Sequence, residues 1–114
     1  MKDFFNICLI CFISLLCFSC QICTNEMLKS DQLDENDKIV LFSRDAGATT
    51  SASLQISIIP ATKNLPNAKG NICITDGRFL DYKFNDSCIV ITYTGNLFLR
   101  KEHYKDYLIR YEKK

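Results

Sequence analysis

Cysteines are the residues of this sequence that could most readily do chemistry, and three of them have a spacing that suits a metal ion. Of seven cysteines in 114 residues, these three form the pattern Cys17-x-x-Cys20-x-x-Cys23. Thiolates at this spacing bind zinc in many proteins. Here the pattern stands at the end of a long apolar run, so we interpret the spacing as fortuitous. We therefore predict no metal site and no cofactor.

Cys73 and Cys88 are the only cysteines that lie beyond residue 23. In the antiparallel meander predicted below they fall on the first and third strands, about 9.5 Å apart, whereas a disulfide needs Cα atoms within about 7 Å. We therefore predict two buried free thiols. A disulfide between them would require a different strand order.

The N-terminal segment contains no charged side chain from Phe4 to Asn25, and residues 7–18 are almost entirely apolar. This length is typical of the hydrophobic region of a signal peptide and short for a membrane span. The end of the run, Ser19-Cys20, resembles the lipobox of bacterial lipoprotein signal peptides, although Cys17 stands where that motif usually has Leu. The resemblance implies a signal peptide over residues 1–19 and a lipid on the Cys20 thiol.

An ordinary cleaved signal peptide, or an uncleaved apolar helix that anchors the chain, is the alternative for this segment. A buried helix of a cytosolic protein is disfavoured, because residues 4–25 present no polar face. Both favoured interpretations place the rest of the chain outside the cytoplasm, in the cell envelope and anchored to a membrane. The membrane is therefore the expected partner.

The composition limits what the rest of the chain can do. Its length suits one small domain and excludes a two-domain enzyme with a cofactor fold. Fourteen Lys and Arg residues against thirteen Asp and Glu residues give a net charge of +1. Such a balance provides no overall field for nucleic acid. We therefore expect no nucleic-acid partner.

Residues 20–37 are predicted to be an acidic tether. From residue 24 to residue 37 the chain has five acidic side chains, one lysine and few apolar positions. This composition is typical of a solvated linker that would separate the domain from the membrane. A short helix over residues 25–33 is the alternative.

Residues 38–114 are predicted to form a mainly β domain, an antiparallel meander or small sandwich. Residues 39–42 and 54–58 are apolar or alternating, as strands are. Asp76-Gly77 is a strong hairpin signal, and it predicts a meander of consecutive strands from residue 71 to residue 112. Both faces of that meander would be apolar, so we expect the hairpin of residues 38–60 to cover one of them.

A distinctive motif follows the first predicted strand, Arg44-Asp45-Ala46-Gly47-Ala48-Thr49-Thr50. It resembles a family of small uncharacterised bacterial proteins with an RD-C-GATT stretch, then S-x-Q-x-S-I, then N-x-x-I-x-D and a Tyr-rich final strand. The resemblance covers residues 38–112 and implies an architecture but no activity. Ala46 replaces the family's cysteine, so a thiol function at that position is excluded here.

The same motif supplies the candidate site residues Arg44, Asp45, Thr49 and Thr50. The structural interpretation is that Arg44 and Asp45 pair and fix the loop, while the hydroxyl groups hydrogen-bond to nearby backbone. The functional alternative is a recognition loop for an anionic or peptide ligand.

Taken together, these features predict a membrane-tethered extracytoplasmic lipoprotein with a structural or binding role and no enzymatic activity. One alternative is an immunity or exclusion-type protein that binds a protein partner at the membrane. Another is a small hydrolase that uses Arg44, Asp45 and His103.

Overall fold

The computed structural model describes residues 23–45 and 52–114. Within these ranges the chain forms nine β-strands in two sheets. The predictions for Cys20, Thr49 and Thr50 lie outside the described residues. The strands are β1 (Thr24–Gln32), β2 (Asp37–Asp45), β3 (Ser53–Pro60), β4 (Cys73–Thr75), β5 (Leu80–Phe84), β6 (Cys88–Tyr93), β7 (Leu97–Arg100), β8 (His103–Tyr104) and β9 (Tyr107–Lys113).

The two sheets confirm the predicted mainly β fold. The first sheet has the order β1-β2-β3-β4-β7 and is antiparallel throughout. The second sheet has the order β5-β6-β9-β8, with β6 and β9 parallel and its other pairs antiparallel. The sheets share one apolar core, to which the following residues contribute: Leu33, Ile39, Leu41, Ile56, Ile58, Ile72, Cys73, Leu80, Tyr82, Ile89, Ile91, Tyr107 and Ile109.

Strand β2 is buried on both faces because its apolar residues are consecutive. Ile39 and Leu41 face the second sheet, and Val40 and Phe42 face the opposite way. A strand alternates its side chains between two faces, so an unbroken apolar run needs cover on each of them. The long connection between β3 and β4 lies on the outer face and packs Leu65 there.

Buried polar side chains attach this connection to the outer face of β3. The backbone N–H of Gly70 donates to Gln55 Oε1 at 2.6 Å, and that of Asn71 donates to Ser57 Oγ at 3.1 Å. Asn71 Nδ2 also donates to the carbonyl of Ile58 at 2.8 Å. We call this connection, residues 61–72, the covering loop. Gln55 and Ser57 of the S-x-Q-x-S-I stretch and Asn71 of the N-x-x-I-x-D stretch fix it in place, because buried polar groups need hydrogen-bond partners.

The hairpin predicted at Asp76-Gly77 is wrong. Strand β4 pairs with β3 and β7 in the first sheet, and the chain then crosses to β5 in the second sheet. The chain crosses back over residues 94–96. The predicted meander would be a single sheet with two apolar faces to cover. Instead, the crossings divide its strands between two sheets, whose apolar faces pack against each other in one core.

The two crossings pack directly against each other. Thr75 Oγ1 donates to the carbonyl of Thr94 at 2.5 Å, and the N–H of Phe79 donates to Thr94 Oγ1 at 3.0 Å. A Cβ at Gly77 would collide with the Thr94 carbonyl. Gly95 has a φ of +81°, a conformation that favours glycine. Asp-Gly therefore serves close backbone packing here instead of a two-residue hairpin.

The sequence predicts an acidic tether over residues 20–37, and this prediction is wrong for most of its described residues, 23–37. Residues 24–32 form strand β1, which pairs with β2 from Thr24↔Asp45 to Gln32↔Lys38. A bulge lies between Met27 and Lys29. β1 is an edge strand with mostly exposed side chains, so it lacks the apolar alternation by which buried strands are recognised.

Two details of the second sheet also differ from expectation. Phe84 pairs with Ile89 instead of Cys88, so the β5–β6 turn has four residues, with Asn85 Oδ1 accepting two of its backbone N–H groups. The final strand β9 runs parallel to β6. It reaches this position because the chain visits the first sheet, as β7, between them.

Tyr82 joins the edge strand β1 to the second sheet. Its buried hydroxyl donates to Asp31 Oδ2 at 2.6 Å and approaches the carbonyl of Ile39 at 3.3 Å. Lys29 Nζ lies 3.0 Å from Asp81 Oδ1 and 4.3 Å from the centre of the Tyr82 ring. Burial, together with the Asp31 carboxylate, raises the pKa of Tyr82.

Replacing Tyr82 with Phe is expected to lower the free energy of unfolding by about 1–2 kcal/mol, since Asp31 loses its buried donor. Urea denaturation followed by circular dichroism measures this change. Tyr93→Phe is the matched control, because the Tyr93 hydroxyl makes no hydrogen bond within the described residues. Equal losses in the two variants would contradict the assignment.

Candidate functional site

Arg44 lies near the end of β2, and its side chain is hydrogen-bonded to two asparagines. Arg44 Nη1 donates to Asn25 Oδ1 at 2.8 Å and to Asn67 Oδ1 at 3.2 Å. These partners are 19 and 23 residues away in the sequence. Sequence reasoning missed both, because no local pattern links residues at such separations. Asp45 is exposed beside Arg44.

The same two asparagines fix the start of β1. Asn25 Nδ2 donates to the carbonyls of Pro66 and Ala68 at 3.0 and 2.8 Å, and Asn67 Nδ2 donates to the carbonyl of Cys23 at 2.9 Å. Arg44 therefore belongs to a polar cluster that attaches residues 23–25 to the covering loop. We call Asn25, Arg44 and Asn67 the junction cluster, because they lie where the N-terminal segment meets the domain.

His103 lies elsewhere, at an open cavity of about 340 Å³. The residues that line this cavity are Asn71, Ile72, Lys101, His103, Tyr104 and Lys105. Three of them carry basic side chains, so the cavity can contact an anion. None of them is a Ser, Thr or Cys that could act as a nucleophile beside His103.

Lys105 is the most constrained of the cavity residues. Its φ is +49°, which is uncommon for a side chain other than glycine, and its Nζ lies 2.6 Å from Oδ2 of the buried Asp37. The hydrogen bond that Lys105 donates to the Asp37 carboxylate raises the pKa of Lys105. Burial and the same carboxylate raise the pKa of Tyr104. This ion pair thus fixes one wall of the cavity.

The structure does not bring together the three residues of the hydrolase alternative. Lys105, two residues after His103, contacts Asp37 at the beginning of β2. Arg44 is seven residues further along that strand, which places it about 23 Å away at 3.3 Å per residue. Arg44 therefore belongs to the junction cluster and His103 to the cavity, and these two groups have no residue in common.

Cys73 and Cys88 are free, which confirms the prediction that they are unpaired. The reason is different from the predicted one, because Cys73 is in the first sheet and Cys88 in the second. Cys73 is fully buried, whereas Cys88 is only half-buried, so the prediction of burial fails for Cys88. Burial raises the pKa of the Cys73 thiol to about 12.

In residues 23–45 and 52–114 no three His, Cys, Asp or Glu side chains are grouped as a metal site would require. The same part of the chain has no helix with the length and apolar character to cross a membrane.

Comparison of the chain with protein-family models, with curated proteins and with solved structures gave no match.

The thiols are expected to differ in reactivity. In the native protein at pH 8, iodoacetamide should modify Cys73 at a rate about tenfold lower than that of Cys88, or lower still. The reason is that a buried thiol with a raised pKa forms little thiolate. Mass spectrometry of peptides from timed samples gives both rates. In urea the two rates should converge, and rapid labelling of native Cys73 would contradict the burial.

Arg44→Gln is expected to loosen the start of β1, since the junction cluster loses its central donor. Hydrogen exchange of the backbone amides of residues 24–27 should rise about fivefold, which corresponds to about 1 kcal/mol of local stability. Lys38→Gln, at the other end of β2, serves as the control and should leave these rates unchanged. Equal exchange in wild type and Arg44→Gln would show that the cluster does not fix this end.

Proposed function

We propose that this protein is a membrane-tethered extracytoplasmic β domain, a bacterial lipoprotein attached through Cys20, with a structural or binding role. The observation that carries the proposal is the apolar run of residues 7–18, which ends at Ser19-Cys20. A hydrophobic segment of this length followed by a small residue and cysteine is typical of lipoprotein signals.

The structure gives two kinds of support to this proposal. Strand β1 begins four residues after Cys20, and the carbonyl of Cys23 accepts a hydrogen bond from Asn67 of the domain. The attachment point would therefore be close to the domain along the chain. Burial of Cys73 also suits an oxidising compartment, since an inaccessible thiol resists oxidation there.

A binding role is supported by the cavity beside His103. Lys101 and His103 are exposed, and their side chains have no hydrogen-bonding or ionic partner within the described residues, so both remain available to an anionic group. Lys105 is already engaged by Asp37 and acts as a wall of the cavity. This arrangement suits the recognition of an anionic group.

Metabolic labelling with palmitate in a bacterial host tests the attachment. We expect the full chain to incorporate the label and Cys20→Ala to lose it completely. Cys23→Ala is the matched control and should keep the label, because Cys23 follows the branched residue Ile22 in place of a small one. Absence of label in the wild type, or its persistence in Cys20→Ala, would refute the lipoprotein proposal.

A further inference from the structure

Three of the exposed large apolar side chains lie on the edge strands of the first sheet, in the half of the sheet that is nearer the Thr24 end. Four large hydrophobic residues in the described ranges are 45–69% exposed, namely Met27, Leu28, Phe98 and Leu108. The first three lie on the two edge strands of the first sheet, β1 and β7. Because four strand spacings, about 19 Å in all, separate β1 from β7, these side chains offer two separate apolar contacts instead of one continuous patch.

The strand register places these three residues at one level of the first sheet. Met27 pairs with Phe42, and Phe42 pairs with Gln55 on the next strand. Gln55 pairs with Ile74, which pairs with Leu99 beside Phe98. This level is three residues from Thr24, about 10 Å along the strand. Leu108 instead pairs with Cys88 and His103, toward the opposite end of the second sheet.

Basic side chains of the second sheet lie at the same end. Leu80 pairs with Tyr93, and Tyr93 pairs with Lys113, so the start of β5 and the end of β9 are adjacent to the crossings from the first sheet. Lys114 Nζ lies 3.9 Å from the centre of the Phe79 ring. Arg78 is exposed in the crossing itself.

Acidic side chains are present at this end as well. Asp45 and Glu112 are exposed, and Asp76 accepts a hydrogen bond from the N–H of Asn96 at 2.6 Å. The two signs of charge are close to balance. Attraction to a surface would therefore come from the apolar side chains and the tether, with lysine and arginine contacting individual phosphates.

The distance from the proposed lipid limits where this end can be. Three residues separate Cys20 from Thr24, so their Cα atoms are at most about 14 Å apart. The carbonyl of Cys23 is hydrogen-bonded to Asn67, which fixes the start of β1 on the domain. An acyl chain on Cys20 would keep the Thr24 end of the sandwich next to the bilayer.

We propose that this end of the sandwich rests on the phospholipid headgroup layer, so that the domain stands in one orientation on the membrane. Leu28 and Phe98 enter the interface from the two edges of the first sheet, while Arg78, Lys113 and Lys114 contact lipid phosphates. The opposite end, with the cavity beside His103, faces away from the membrane. This inference rests on the proposed attachment at Cys20.

The orientation can be measured with the acylated full chain in lipid nanodiscs that carry Gd³⁺ on chelating headgroups. Paramagnetic broadening of backbone amide signals reports the distance of each residue from the headgroups. Residues 76–79, 94–98 and 113–114 lie at the end proposed to contact the membrane, and residues 34–37, 60–63 and 85–87 lie at the opposite end. The signals of the first set should fall to about one third, or less, of the intensity of the second set, because the interface layer is only about 5–10 Å deep. A uniform or reversed pattern would overturn the orientation.

A double variant, Leu28→Ser with Phe98→Ser, should weaken this gradient, whereas the control Leu108→Ser at the opposite end should preserve it. An unchanged gradient in the double variant would overturn the role of these two side chains. If instead the wild type shows no gradient and light scattering shows a dimer that the double variant dissociates, the surface binds a second copy and the membrane proposal fails.

Failure of the orientation differs from failure of the attachment. A wild-type chain that floats with nanodiscs but shows no gradient is tethered without the proposed contact. A wild-type chain that does not float with them lacks the tether, and the proposed function then fails together with the inference.

Discussion

Burial of β2 on both of its faces is the constraint on which the rest of the structure depends. Its consecutive apolar residues direct Ile39 and Leu41 to one side of the strand and Val40 and Phe42 to the other. Neither side can face water without losing the main favourable contribution to folding. The second sheet covers one side and the loop between β3 and β4 covers the other. The chain therefore has to cross between the sheets, and the crossings at Thr75 and Thr94 follow from that requirement.

Polar side chains complete what apolar burial begins. Gln55 and Ser57 attach the covering loop, Tyr82 attaches β1 to the second sheet, and Arg44 attaches the start of β1 to the loop. None of these side chains is adjacent in sequence to its partner. Gln55, Ser57 and Tyr82 provide partners for backbone N–H groups and for the Asp31 carboxylate, and leaving such groups unpaired inside a protein is costly. Arg44 instead joins two asparagine side chains.

The arrangement also separates two regions with different possible roles. The junction cluster is at the end of the domain where β1 begins, and the exposed apolar level lies about 10 Å further along β1. The cavity with Lys101, His103 and Lys105 is at the other end of β2, beside Asp37. A tethered domain with this geometry would present its cavity to the surroundings and its junction to the membrane.

The presence and type of most elements follow from residues that are close together along the chain. Apolar runs and alternation located β2 and β3, and the turn signals indicated that further strands follow one another between residues 71 and 112. The apolar segment of residues 7–18 was identified in the same way, because strand patterns and apolar runs both depend on residues that are close along the chain. The unpaired state of Cys73 and Cys88 was also predicted, although from a strand order that the fold does not have.

Strand pairing, in contrast, depends on contacts between residues that are far apart in the sequence. Asp76-Gly77 favours a hairpin locally, yet the burial of two apolar faces outweighs that preference and sends the chain to the other sheet. Strand β1 has no apolar pattern of its own and forms because β2 offers it an unpaired edge. The partners of Arg44 are likewise set by the fold, since Asn25 and Asn67 approach it only after the sheet and the covering loop have assembled.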